Sequence, residues 1–281
     1  MRQNKQKTQA KQSFSINQWA KLEALFRKKN WPIDTDCAVS TFERYTGTLS
    51  KLSVEQQDFV LKLSERFLHI GIEKYASELV VALKKLRTDY PDDFLLVSQC
   101  LPEEDLGKSK SGDVVLYQFR GNSLKTKMKM ENYGICSSDL QDYLSKLTNK
   151  SYKVVLVDDF VGTGETAWEA VKYVKKLSPT LKDEDIVILC IVAMQAGIEL
   201  LAQHGIRTYS SHIEQKGISD YYEGQSLKDA VQLMNSIEKQ IKVKDDWHFG
   251  YGQSEALVSM ERCPNNTFPI YWLSKNAPYA R

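Results

Sequence analysis

The sequence predicts an α/β fold: a parallel-sheet core preceded by an N-terminal helical lobe and followed by a C-terminal extension. Two observations carry this. Short apolar or β-branched runs recur through the middle of the chain, and helical patterns separate the later ones, whereas residues 15–90 keep a helical period throughout. Strands that alternate with helices and read as continuous apolar runs belong to a parallel sheet covered on both faces.

Residues 1–14 form a basic arm with Arg2, Lys5, Lys7 and Lys11, and residues 1–13 carry no acid. The arm has too little apolar content to order itself and reads as a disordered tail; four charges alone do not make it a nucleic-acid contact. In the lobe, residues 15–90, Ile16, Trp19, Leu22, Leu25 and Phe26 fall on one face of a helix. A second span from Ser53 to Leu86 is too long for one average helix and divides near Gly71, with Gln56 as capping-box partner of Ser53. In the core, residues 91–244, strands are expected at 94–100, 114–119, 153–159, 186–194 and 207–213. Helices are expected at 137–147, 165–177 and 196–205, with a further one at about 226–243. Residues 245–281 form an extension of one or two strands joined by a Pro-Asn turn.

At 281 residues with 42% apolar content the chain can bury a substantial core, and the net charge of +2 favours no single class of partner. The N-terminus has no apolar segment of the signal-peptide kind, and no run is long enough to cross a bilayer, so the expectation is a cytoplasmic protein without a membrane partner. Five cysteines, odd in number and without a C-x-x-C pair, argue against a disulfide framework or zinc site and read as packing residues. Four histidines form no ligand pattern.

The chemistry concentrates in "KVVLVDDFVGTGETAWEAV", residues 153–171. A buried-type strand delivers Asp158 and Asp159 to its carboxyl end, where open α/β sheets bind ligands. "DD" also occurs at Asp92 and Asp245, where a solvated turn is the ordinary reading; only this pair sits between an apolar strand and a small-residue loop. Gly162 and Gly164 allow a tight turn, Thr163 and Thr166 offer hydroxyls, and the first amides of the next helix are unpaired donors, which together make a phosphate cup. The loop is neither a Walker loop nor a G-x-G-x-x-G turn. Carboxylates repel phosphate, so a ligand held by both features offers hydroxyls or a metal to the acids and phosphate to the loop. A ribose 5-phosphate meets that requirement.

"VVLVDDFVGTGET" resembles the signature of the type I phosphoribosyltransferases, which bind 5-phosphoribosyl 1-pyrophosphate (PRPP). The resemblance implies a type I phosphoribosyltransferase-like core. It gives Asp158 and Asp159 the ribose hydroxyls, and gives Val161, Gly162, Thr163, Gly164, Glu165 and Thr166 the 5-phosphate, with Glu165 turned outward. It also implies an Mg2+ ion, held by Asp158 and Asp159 directly or through water, and transfer or release of ribose 5-phosphate with loss of pyrophosphate. By position, "GKSKSGD" is then the pyrophosphate loop, with Lys108, Ser109, Lys110 and Ser111, and Lys108 and Lys110 join the two acids as catalytic candidates. Arg120 is a further pyrophosphate candidate beside these and begins the lid segment 120–134, whose "KTKMK" reads equally well as a solvated strand edge.

Trp247 and Tyr251 are the candidates for stacking a base, or else docking contacts of the extension. Against turnover stand "PEED" at 102–105, acidic beside a proposed polyanion site, and the absence of a recognisable base for the acceptor; a non-catalytic PRPP or nucleotide sensor is the alternative. The flanking segments are similar to phosphoribosyltransferase-like effectors of bacterial antiphage systems, including retrons. That resemblance implies a reverse transcriptase, its msDNA product or a DNA-binding protein as partner, with a homodimer as a further arrangement.

Overall fold

The computed structural model describes residues 14–33, 40–128, 132–136, 140–146 and 151–281, with Ser123, Met128 and Gln141 as backbone only. Residues 1–13 of the basic arm, Cys37 and Lys129 lie outside the described residues. Helix α1 (Ile16–Lys29) begins where the Gln18 amide donates to Ser15 Oγ at 3.2 Å and stops at Asn30, whose left-handed backbone (φ 53°) closes the last turn. Helices α2 (Thr41–Leu49) and α3 (Val54–Ser64) open on capping boxes, Ser40 with Glu43 and Ser53 with Gln56. The strand β1 (Leu68–His69) follows, and Gly71 then starts α4 (Ile72–Asp89), so the long helical span divides where the sequence places the break.

The apolar face read for α1 is only partly buried. Leu22, Leu25 and Phe26 are enclosed, but Ile16 is 90% and Trp19 43% exposed. Trp19 still meets Phe42 edge-on at 5.5 Å, and the inward position in the first turn is taken by Gln18, whose amide donates to Asp58 Oδ1 at 2.9 Å.

The middle of the chain supplies β2 (Phe94–Gln99), α5 (Ser111–Arg120), α6 (Asn122–Met128), β3 (Tyr133–Cys136), α7 (Leu140–Ser145) and β4 (Tyr152–Val161). It continues through α8 (Glu165–Leu177), β5 (Ile186–Met194), α9 (Gln195–Gln203) and β6 (Arg207–Glu214). The five long strands form one parallel sheet in the order β3-β2-β4-β5-β6. Every residue of β5 is buried, as its unbroken apolar run requires. Leu79, Leu83, Val115 and Phe119 of α4 and α5 cover one face; Ala170, Val171 and Val174 of α8 and Leu201 of α9 cover the other.

Two local expectations are corrected. Residues 114–119 form helix, not strand: Gly112, Val115, Leu116 and Phe119 make a buried stripe at helical spacing, which outweighs the β-branched pair. Within 120–134 the described residues form α6, which carries Lys125 and Lys127, and the start of β3, with Leu95 opposite Tyr133 in the ladder, where the sequence suggests a lid or a lysine-rich strand edge. Strand β3 escapes notice in the sequence because it is four residues long and contains Gly134.

After β6 the chain forms α10 (Gly224–Gln240) and, in the extension, the strand β7 (Val258–Ser259) with turns of 3-10 helix around it. α1 to α3, α10 and residues 257–271 share a second core that includes Phe26, Tyr45, Phe67, Met234, Phe268 and Tyr271. β1 pairs in parallel with β7, Leu68 opposite Val258, and Phe67 stacks on Tyr279 with ring centroids 4.9 Å apart. Helix α4 leaves this group and packs on the sheet. Among the described residues no helix is long and apolar enough to cross a membrane. Phe67 is fully enclosed between lobe and extension, so Phe67→Ala is expected to cost about 3–5 kcal/mol, read as a lower denaturation midpoint in guanidinium.

Candidate functional site

Between β2 and β4 the strand order reverses, so the connections leaving their carboxyl ends diverge and open a crevice. A cleft of about 520 Å³ lies there. Helix α5 reaches it through Gly112: a Cβ at that position would stand 2.8 Å from Gln99 Cγ and 3.1 Å from the Val157 carbonyl. This close approach brings Ser111 to the acid pair, where its hydroxyl donates to Asp158 Oδ1 at 2.7 Å.

Strand β4 alternates along its buried run, with Val154 and Leu156 on the α8 side and Val155 and Val157 on the α4 side, and its end delivers Asp158 and Asp159 side by side into the one cleft. Asp159 is buried and Asp158 half-buried. The Tyr75 hydroxyl, on α4, donates to Asp159 Oδ2 at 2.8 Å and accepts from the Glu261 amide at 3.2 Å. Asp158 Oδ1 also accepts from the Asp159 amide at 2.8 Å. Desolvation first, and the neighbouring Asp159 charge second, push the Asp158 carboxyl well above the usual carboxylate range. Burial raises Asp159 as well, opposed by the Tyr75 hydrogen bond.

The loop after β4 is held from two sides. Gly164 has φ +86°, which an L side chain rarely adopts, and a Cβ there would meet the Gly197 carbonyl at 2.8 Å. A Cβ on Gly197, in α9, would lie 2.3 Å from the Gly162 carbonyl, and one on Gly162 would lie 2.4 Å from the Asn266 side chain. Val161, Thr163 and Thr166 line the cleft with this loop. Glu165 is exposed and accepts from the Tyr251 hydroxyl at 3.2 Å, turned outward as the sequence requires.

The cationic candidates divide. Ser109, Lys110 and Ser111 line the cleft; Lys108 does not. Lys108 and Lys110 both pair with Asp105, at 2.8 and 2.7 Å, and hold its carboxyl below the usual range. Glu103 pairs with Lys176 at 2.7 Å, so these two "PEED" acids are met by neighbouring lysines. Arg120 is misplaced by the sequence reading: it ends the helix that Ser111 begins and lines a separate cleft with Tyr117 and Tyr173. Trp247 is a docking contact, edge-on to Trp272 at 5.4 Å, while Tyr251 does line the cleft. Four cleft residues had no signal in the local sequence: Tyr75 reads as one more position of a buried helical stripe, and Arg262, Asn266 and Arg281 come from the extension. The histidines pair elsewhere, His212 with Glu78 and His248 with Glu238. Among the described residues no group of three or more His, Cys, Asp or Glu is placed to hold a metal.

A parallel sheet with this switch point, an acid pair at the end of β4 and a glycine loop opening α8 defines a type I phosphoribosyltransferase-like protein. The chain belongs to the PRTase-CE family, whose model matches residues 53–280. It is similar to the APRTase of Giardia lamblia solved with 9-deazaadenine, at 18% identity over 48% of this chain and 79% of that one, TM-score 0.28. It is also similar to the orotate phosphoribosyltransferase of Mycobacterium tuberculosis H37Rv solved with inorganic phosphate, at 15% identity over 48% and 70% of the two chains, TM-score 0.27. A curated relative is the ribosomal RNA large subunit methyltransferase H of Clostridium botulinum (strain 657 / Type Ba4), 25% identical over 114 residues, 40% of this chain and 72% of that protein. The class rests on the sheet, the loop and the family match, not on these pairwise likenesses.

Two outcomes follow from the geometry. The Asp158 carboxyl is raised in the folded state, so its contribution to stability is present below the ordinary carboxylate value and is lost as pH rises through the folded one. Asp158→Asn keeps the acceptor without that loss and is expected to raise the melting temperature at pH 7 by about 2–4 °C, the response to about 1 kcal/mol in a domain of roughly this size. The gain should vanish below about pH 4, where the unfolded carboxyl is protonated too. Gly197→Ala, by forcing the Gly162 carbonyl aside, is expected to cost about 1–3 kcal/mol as overpacking, read as a lower melting temperature.

Proposed function

We propose that the cleft binds PRPP and that the protein transfers or releases its ribose 5-phosphate with loss of pyrophosphate. The observation that carries this is the meeting, in one crevice, of the acid pair, the glycine loop and the first turns of α5 and α8. The loop amides and the threonine hydroxyls are suited to the 5-phosphate, since unpaired helix N-terminal N–H groups favour an anion. Asp158, open to the cleft, accepts from a ribose hydroxyl. Asp159, already bonded to Tyr75 through Oδ2, takes the second hydroxyl through its other oxygen. The half-enclosed site limits water around C1, where positive charge develops as the bond to pyrophosphate lengthens.

A divalent ion fits this donor set in one way. Two carboxylates beside a hydroxyl suit an ion that draws its other ligands from phosphate and water, so Asp158 would hold magnesium directly or through water. When bound, magnesium offsets the charge of the leaving diphosphate.

The second reading, a non-catalytic sensor of PRPP or a related nucleotide, is favoured by one observation: Ser111 and Tyr75 already occupy one oxygen on each acid. A setting in an antiphage complex, with a reverse transcriptase, msDNA or a DNA-binding protein, belongs to the same proposal and rests on the flanking sequence. Calorimetry of PRPP with and without magnesium tests the binding: tight, magnesium-dependent association is expected in the wild type and its loss in Asp158→Asn/Asp159→Asn. Retained tight binding in the double variant would remove the acids from the site, and pyrophosphate release from the bound ligand separates turnover from sensing.

A further inference from the structure

The lysine loop that the sequence offers for a polyphosphate is partly engaged by its own acid, and only Lys110 of its two lysines lines the cleft. Lys108 and Lys110 share Asp105, and Arg120 lies on another surface. The cleft nevertheless contains two guanidinium groups, and both come from the extension. Arg262 and Arg281 line it, both exposed residues, and neither forms an ion pair with a carboxylate among the described residues. Glu261, the nearest acid in sequence, directs its carboxylate to the Ile72 amide at 3.2 Å.

These arginines are mounted on rigid parts. The Arg281 guanidinium lies 5.3 Å from the Trp272 ring centre, and Trp272 is fixed by its indole N–H, which donates to the Thr267 carbonyl at 2.6 Å. Arg262 follows Glu261, whose amide donates to the Tyr75 hydroxyl beside Asp159. Burial first and the Arg262 charge second hold Arg281 below its ordinary value, so the two cations repel across the cleft. Two guanidinium groups that line one cleft, neither ion-paired among the described residues, suit a polyanion, and guanidinium forks match phosphate oxygens two at a time.

We propose that Arg262 and Arg281 form the polyphosphate subsite, so that the extension, and not the loop 107–113, holds the diphosphate end of the ligand. The assignment rests on the phosphoribosyl reading of the cleft. It gives the extension a chemical role, because the wall that locks the loop through Asn266 also supplies the charge that the far end of the ligand requires.

The test titrates the metal-free protein, with chelator present, against inorganic pyrophosphate and, separately, ribose 5-phosphate. In Arg262→Gln/Arg281→Gln the affinity for pyrophosphate is expected to fall about tenfold or more, and that for ribose 5-phosphate to change less than about twofold. Arg281→Lys, which keeps a charge against Trp272, is expected to lose less, and a melting curve matching the wild type excludes misfolding. Unchanged pyrophosphate affinity in the arginine double variant, no pyrophosphate binding by the wild type, or a larger loss in Lys108→Gln/Lys110→Gln would each overturn the assignment. Arginine-dependent pyrophosphate binding without any ribose 5-phosphate binding supports the subsite while removing the phosphoribosyl reading.

Discussion

Two carboxylates adjacent in one buried strand impose the constraint around which the site is arranged. Like charges a few ångströms apart in a medium poorer than water repel strongly, and each also loses hydration. The fold relieves this with hydroxyls: Ser111 from the first turn of α5 donates to Asp158, and Tyr75 from α4 donates to Asp159. Both helices reach the strand closely, α5 because position 112 has no side chain. Stability lost in holding charge there is the ordinary signature of a site kept for function.

The same hydroxyl joins three parts of the chain. Tyr75 belongs to the helix that links the lobe to the sheet, donates to the core acid Asp159 and accepts from Glu261 of the extension. The extension is bound to the lobe through the Phe67, Tyr271 and Tyr279 rings and through β1 and β7. It then crosses to the glycine loop, where Asn266 occupies the space a side chain on Gly162 would need. Lobe and extension thus share one apolar core, and that core places the third wall of the cleft.

Much of the sheet was legible because β4 and β5 are unbroken apolar runs, and buried parallel strands leave that trace in any sequence. The loop was legible for a related reason: small residues, hydroxyls and a helix start are local requirements of binding an anion. Residues 114–119 were misread because Val114 and Val115 suit a strand as well as a helix, and only packing on the sheet selects the stripe through Val115 and Phe119. Lys108, Lys110 and Arg120 looked like one basic patch, yet a helix separates Arg120 from the others and the first two share the Asp105 carboxylate.

By itself, then, the sequence determined what depends on neighbours in the chain: the alternation of strands and helices, the break at Gly71, the Ser53 capping box, and the delivery of Asp158 and Asp159 to a glycine turn. Tertiary structure alone decided which distant side chains share the cleft. Tyr75 stands 84 residues from Asp159, and Arg262 and Arg281 lie farther still along the chain from Asp105. Side-chain periodicity reports burial along one element, whereas a hydrogen bond or a shared charge site depends on where separate elements cross. That crossing is set by the packing of the lobe and extension around the sheet.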